Sequence, residues 1–455
     1  MSDATLNNLL MKVARRAENA PAEVLRSSFV PVRPLLAHLE SPEHHVLLGR
    51  RGTGKTHLLR YLQDQQAERG ALAIYLDLRR IGSDGDTDAL LAEVVGAIHS
   101  ALYDEVLRDR WAAQLAGLSD ALDALAAAAK QVRVDRRRLL LGPLPAAVHA
   151  LAAALAPHQL WLLLDEWSAL PAEAQPLLAD LLRRTFFATG GVVVKISAVH
   201  GRSQFSDPEA RIGLELGADT AASLDLDDFL LFRNDIASTV DFYKALLYRH
   251  VTAVASEDLR GIDGPQRMVN RLFTDAESFH NLVLGAEGVP RDALQIAGLA
   301  AGAAYEERIG PAHVATATRD FYLRDKEGNL PRSAQRVFGN LIEQCAKQRS
   351  RLIPLRRDGE SDEEVIQRLY DARLIHRVRQ GVSLDPQHPA ELYDVYVIDY
   401  GCFLGLLKSG RIRTVEDGLD PGARFADADE IEIRGSTFVR LPAGWYRPSD
   451  RRKGR

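Results

Sequence analysis

Cysteine is nearly absent from this chain: two residues in 455, Cys345 and Cys402, far apart and without metal-ligand spacing. That excludes a disulfide framework and a zinc ribbon, and both thiols read as reduced and structural. Long apolar runs are missing too. No stretch reaches about 18 uninterrupted apolar residues, so no membrane-spanning helix is expected. The first residues, MSDATLNNLL, lack a basic segment followed by an apolar one, so no secretory leader is expected and a cytoplasmic location is the default. Nor is there a large excess of positive charge. The net charge is −5, so any nucleic-acid contact must come from a local patch.

What is present is a composition able to fill large cores, 46% hydrophobic and 26% charged, unlike that of a disordered chain. The length suggests about two to four domains. Residues 4–25 read as a helix. HVLLG (45–49) is a short apolar run closed by glycine, the signature of a buried strand, and THLLRYLQDQQAE follows it with helical spacing. ALAIYLDL (71–78), LWLLLDEW (160–167) and GGVVVKISAV (190–199) are further buried strands, and ASLDLDDF (222–229) is a fifth at an edge. AEAQPLLADLLRR (172–184) reads as a helix. Alanine- and leucine-rich residues 87–129 read as a helical insertion. KQVRVDRRR (130–138) is a basic run, either a solvated connector or a contact for DNA or a partner. Alternating strands and helices with apolar strands predict an α/β fold with a mainly parallel sheet. Residues 234–325 are helical in pattern, and from about 332 helices mix with alternating strands.

The chemistry concentrates at GRRGTGKT (49–56), which fits G-x-x-x-x-G-K-[ST] with a strand before it and a helix after it. Gly49, Gly52 and Gly54 allow the tight turns that aim backbone amides at phosphate, with Arg50, Arg51, Thr53 and His57 completing the loop and helix start. Lys55 is placed to reach the outer phosphates of ATP, and the Thr56 hydroxyl to coordinate Mg2+. Asp165 ends a buried strand, where an acid is costly without a task. The task read here is holding the metal, with Glu166 as general base on the attacking water. Ser197 or His200, at the end of the next strand, would orient that water or sense the γ-phosphate, or merely satisfy backbone groups. Arg291 sits in the first turn of a helix begun by glycine and proline, where a cation opposes the helix dipole, so a partner such as a triphosphate is expected. No guanine-reading N-K-x-D motif is present, which agrees with adenine.

With GRRGTGKT, LLLDEW (162–167), the polar-ended VVVKISAV (192–199) and EGVPRDAL (287–294), the chain resembles AAA+ ATPases, and among them the Orc1/Cdc6-like initiator group. The resemblance spans roughly residues 30–400. It implies an N-terminal helical segment (1–29) and a nucleotide-binding core (30–232) with a helical insertion at 85–155. It further implies a helical lid (233–326), a winged-helix-like domain (332–410) and a C-terminal extension with a basic tail (411–455). It makes Arg291 a lid sensor, makes IGPAHVATATRDFY (309–322) the closing lid helix, and implies an arginine finger at Arg211 or else Arg202. The strand position where many relatives carry asparagine has none here. The implied activity is slow, Mg2+-dependent ATP hydrolysis by a switch that contacts duplex DNA, a protein partner or further copies of itself, with no membrane involved.

In the last part, SAQRVFGNLIEQCAKQ (333–348) reads as an amphipathic helix, SRLIPLRR (350–357) as a strand and SDEEVIQRLYDARL (361–374) as a second helix with a capping-box start. LIHRVRQG and YDVYVIDY then make a hairpin, a winged-helix pattern. Arg356, Arg357, Arg377 and Arg379 are candidates for DNA phosphates. Glu360, Asp362, Glu363 and Glu364 at the start of the second helix would repel phosphate, so a protein-docking domain stands beside the DNA-binding one.

Overall fold

The structure, a computed structural model, describes residues 2–16, 22–82, 86–107, 111, 115–135, 138–221, 224–227, 236–255, 262–348, 350–357, 363–384, 387–408 and 439–441. The basic tail, Arg136 and Arg137 of the basic run, and Glu360 to Asp362 lie outside them. The chain divides into two compact units, one of Pro21–Phe229 and one of Met1–Ala20 with Leu230–Arg455. Among the described residues no helix is long and apolar enough to cross a membrane.

Along the chain the elements of the first part are α1 (Asp3–Arg16), α2 (Ala22–Ser28), α3 (Arg33–Leu39), β1 (His45–Leu48), α4 (Lys55–Glu68), β2 (Leu72–Asp77), α5 (Thr87–Val106) and α6 (Leu115–Ala129). There follow β3 (Arg133–Asp135), β4 (Arg138–Leu140), α7 (Leu144–Leu155), β5 (Leu160–Asp165), α8 (Gln175–Arg184), β6 (Val192–Ser197), β7 (Ser206–Asp207), β8 (Ile212–Gly213) and β9 (Leu224–Asp225). The expected mainly parallel sheet is there: five strands in the order β2-β5-β6-β1-β9, every neighbouring pair parallel. The basic run of residues 130–138, a connector or a DNA or partner contact by its sequence, contributes β3 and the start of β4, which pair antiparallel with Val134 opposite Leu139.

Every residue of β5 and β6 is buried, which is why these segments read as largely apolar runs. Strand alternation assigns the faces. Leu160, Leu162, Leu164, Val194 and Ile196 join one core with Val95 and Ile98 of α5, Leu122 of α6, Leu151 of α7 and Leu182 of α8. Trp161, Leu163 and Val193 face the other way, on the side of the sheet that also holds Asp165. Asp86 starts α5 by accepting the Ala89 amide at 2.8 Å.

The second unit begins with α1 and resumes with α9 (Ile236–Val254), α10 (Pro265–Leu272), α11 (Ala276–Ala286), α12 (Pro290–Ala304) and α13 (Pro311–Phe321). α1 packs along α12 so closely that a Cβ on Gly298 would lie 2.3 Å from the Ala14 Cβ, so only glycine fits there. Then come α14 (Arg332–Gln348), β10 (Leu352–Arg356), α15 (Glu363–Asp371), β11 (Ile375–Ser383), β12 (Leu392–Ile398) and α16 (Tyr400–Lys408). The three strands form an antiparallel sheet in the order β10-β12-β11.

Candidate active site

β1 delivers the chain into the loop of residues 49–56. Gly49, Gly52 and Gly54 all take positive φ there. A Cβ on Gly49 would meet Thr53 Oγ1 at 2.9 Å and Leu226 Cβ at 3.2 Å. Gly54 is the N-cap of α4 and supplies no side-chain cap, so the first-turn amides of that helix face the loop uncapped. Thr53 tightens the loop from inside by donating its hydroxyl to the Arg50 carbonyl at 2.9 Å.

Lys55 is buried and folds back on the loop, its Nζ donating to the carbonyls of Gly49 at 2.7 Å and Arg50 at 2.9 Å. Among the described residues no carboxylate pairs with it directly. Burial therefore lowers its pKa despite the more distant attraction of Asp227, Glu166 and Asp165. A buried ammonium held only by neutral carbonyls, beside uncapped helix amides, is the donor set that suits a phosphate.

The other loop side chains point away from that cradle. Arg50 is buried and ion-paired through Nε to Asp227 at 3.0 Å, and its amide donates to the other oxygen of the same carboxylate at 3.3 Å. This pair pins the loop to the segment just past β9. Arg51 is exposed. His57 lies with Nε2 3.4 Å from Ser28 Oγ at the end of α2.

Asp165 shows no solvent exposure. Its Oδ2 accepts the hydroxyls of Thr56 at 2.7 Å and Tyr75 at 2.6 Å. Its Oδ1 accepts the Ser197 hydroxyl in a short bond and the Glu166 amide at 2.9 Å. Among the described residues no cation pairs with this carboxylate. A fully buried charge with four neutral donors and no counter-ion is expensive, and it fits a divalent cation brought in by the ligand.

Glu166 takes the left-handed conformation, φ 61°, a strained backbone for a non-glycine residue. Its Oε1 stands 3.8 Å from Arg79 Nη1. Arg79 is mainly engaged by Asp77, through Nε at 3.0 Å and Nη2 at 2.8 Å. Burial pushes the Asp77 carboxyl up, but the Arg79 hydrogen bonds outweigh it and hold it below its usual value. The β2–β5 register brings this group together by setting Asp77 opposite Asp165.

Of the strand-end candidates, Ser197 lies on Asp165, whereas His200 stands 4.0 Å from Asp225 at β9. Arg211 is exposed with φ 54° and, among the described residues, makes no ion pair. Arg202 is also exposed. Arg291 occupies the first turn of α12, which belongs to the other compact unit. In that unit Arg356 pairs with Glu391 at 3.1 Å and Arg357 with Asp394 at 2.9 Å, Arg377 lies over the Tyr370 ring at 5.9 Å, and Arg379 is exposed. Sequence reading missed Tyr75, Arg79 and Asp227. Tyr75 did carry a signal: a tyrosine within an apolar strand needs a partner for its hydroxyl.

Residues 13–75 match the ORC-CDC6-like family model. The match covers β1, the P-loop, α4 and the start of β2, and it meets the resemblance read from the motifs. No curated protein sequence matches the chain. Among solved structures, the Thermotoga maritima RuvB Holliday junction branch migration motor is similar at TM-score 0.36 and 12% identity, covering 86% of this chain and 100% of its own. C. elegans PCH-2 follows at TM-score 0.30 and 14% identity, with 69% and 66% covered. Drosophila ORC bound to DNA is similar at TM-score 0.32 and 13% identity, with 82% and 91% covered.

Proposed function

We propose that this chain binds ATP with Mg2+ and hydrolyses it slowly, as an Orc1/Cdc6-like AAA+ switch. One observation carries the reading: the Asp165 carboxylate, without solvent exposure, meets the P-loop Thr56 hydroxyl at 2.7 Å and has no counter-ion among the described residues.

On this reading the loop amides and Lys55 bind the phosphates, with Lys55 exchanging its two carbonyl partners for phosphate oxygens. Thr56 and Asp165 would hold the metal. Mg2+, when bound, neutralises charge on the phosphate oxygens. Glu166, whose backbone is strained, would take the proton of the attacking water. Ser197 orients Asp165 and, through it, the water. Arg291 is the lid sensor that the resemblance implies, and Arg211 the implied finger for a neighbouring copy.

The winged-helix-like C-terminal part would carry the output to duplex DNA or to a protein. Arg356 and Arg357 are already neutralised by Glu391 and Asp394. That favours a second reading, a STAND-like signalling or defence-system regulatory ATPase gating a protein partner without DNA. The deciding experiment is ATP hydrolysis by purified protein, with and without duplex DNA, at low and moderate salt. Stimulation by DNA that disappears in Lys55→Ala supports the DNA-coupled switch. Hydrolysis indifferent to DNA, with no DNA binding at low salt, supports the partner-gated reading. No Lys55-dependent nucleotide binding in either condition overturns both.

A further inference from the structure

Asp165 is held by more than the P-loop and its neighbouring strand. A carboxylate offers about four lone-pair sites, and here protein donors meet all four: Ser197 and Glu166 on Oδ1, Thr56 and Tyr75 on Oδ2. Three of these residues belong to segments the motif reading already singled out. Tyr75 does not. It stands on β2, opposite Leu163, and reaches along the sheet face to the same oxygen that Thr56 uses. Its ring is fixed from the other side by Arg60, whose guanidinium carbon lies 3.5 Å from the ring centroid. Arg60 is one turn beyond Thr56 on α4, so a single helix supplies both the hydroxyl that meets Asp165 and the cation that fixes the competing donor. A phenylalanine would fill this place equally well by packing. Among the described residues the hydroxyl has one partner, the carboxylate.

We propose that Tyr75 is a positioning residue of the metal site, its hydroxyl holding Asp165 in the orientation that meets Thr56 and thereby setting the site's affinity for Mg2+. This rests on the ATP- and Mg2+-binding reading above. Tyr75 touches neither phosphate nor the attacking water on that reading, so it acts through Asp165 alone. When the Thr56 hydroxyl oxygen turns to a metal, Tyr75 and Ser197 keep one bond on each carboxylate oxygen, and the group cannot rotate away.

The test is Tyr75→Phe in the full chain, with ADP titrated calorimetrically in EDTA and across a Mg2+ series, and the thermal midpoint measured without nucleotide. The expected result is unchanged ADP binding in EDTA and a midpoint lowered by no more than the loss of one hydrogen bond to the carboxylate, with the Mg2+ concentration for half-maximal effect raised about tenfold or more, the scale of lost outer-shell partners. Arg60→Met, which frees the ring but leaves the hydroxyl, should shift the Mg2+ dependence the same way by less, and it carries the test should Tyr75→Phe fold poorly. A wild-type Mg2+ dependence in both variants overturns the proposal. So does equal weakening with and without Mg2+, which would make Tyr75 a packing residue. A wild-type protein whose ADP binding ignores Mg2+ overturns the metal-site reading itself, and is recognised because it needs no variant.

Discussion

The Thr56 hydroxyl donates to Asp165 Oδ2 across 2.7 Å, joining residues 109 positions apart in sequence. The contact exists because α4 starts where β1 ends, and β5 ends one strand away across β6. The whole helical insertion is looped out between β2 and β5 without disturbing their register, which runs unbroken from Leu72–Leu160 to Asp77–Asp165.

Lys55→Met should separate ligand binding from folding. The methionine keeps the length of the stem and removes a buried charge that only carbonyls accompany. The thermal midpoint of the nucleotide-free protein should therefore not fall. Nucleotide binding should weaken, and hydrolysis should drop by about 10²–10³-fold, the scale for losing one preorganised donor at a developing charge. A lower midpoint would mean that Lys55 serves the loop more than the ligand.

Glu166→Gln should leave ATP bound and slow its turnover by about 10²–10⁴-fold, the usual worth of a general base. The amide preserves the side chain's size and the left-handed backbone at φ 61°, so the fold should not change. Single-turnover hydrolysis beside equilibrium ATP binding reads the two effects separately. An unchanged rate would remove Glu166 from the base role.

His45 predicts a pH dependence of stability. Its Nδ1 lies 2.9 Å from Lys195 Nζ, which also donates to the carbonyls of Ser41 and Glu43. Burial first and the Lys195 charge second lower the His45 pKa to about 4. The unfolded chain, with an ordinary histidine pKa of about 6.5, binds the proton more readily in the interval between. Stability from this group is thus complete above pH about 6.5 and is lost as the pH falls toward about 4. Urea midpoints at pH 7, 5.5 and 4.5 should fall in that order, and His45→Asn, whose amide oxygen still accepts from Lys195, should flatten the decline.

The sequence displayed this site unevenly, and the reason is geometric. Gly49, Lys55, Thr56, Asp165 and Glu166 were legible because the phosphate loop and the acid at a strand end are local patterns, each bounded by an apolar run. Tyr75, Arg79 and Asp227 were not, because their roles depend on strand register and on a pairing 177 residues apart, Arg50 with Asp227. The parallel sheet was legible for the same local reason, since strands buried on both faces leave apolar runs such as LWLLL (160–164) and VVV (192–194). The β3–β4 hairpin was not, because its exposed arginines hide the short alternation that pairs Val134 with Leu139.

A set of buried charges begins at Asp292, next to Arg291 in sequence. Asp292, in the first turn of α12, lies 3.3 Å from Lys326 Nζ and 3.2 Å from Arg373 Nε. Lys326 also donates to Asp399 at 2.6 Å, and Asp399 pairs in turn with His376 at 3.0 Å. Asp292, Lys326, His376 and Asp399 are all buried, so the helical part and the C-terminal sheet of this unit are joined through a shared set of charges. Burial alone would push the Asp399 carboxyl up, but the Lys326 charge and the His376 bond hold it well below the usual carboxylate range. Its stabilising contribution is therefore complete at neutral pH and is lost only as the pH drops below about 4, where the unfolded carboxyl takes up its proton. Lys326→Met leaves two buried carboxylates short of a cation and should cost about 3–5 kcal/mol, the scale for breaking a buried pair. Adding Asp399→Asn should recover part of that loss, because a neutral amide no longer needs the ammonium. Urea unfolding of the single and double variants decides it. Hydrogen exchange should show α12 and β12 opening together in Lys326→Met, whereas opening confined to β12 would mean that Asp292 is held by Arg373 alone.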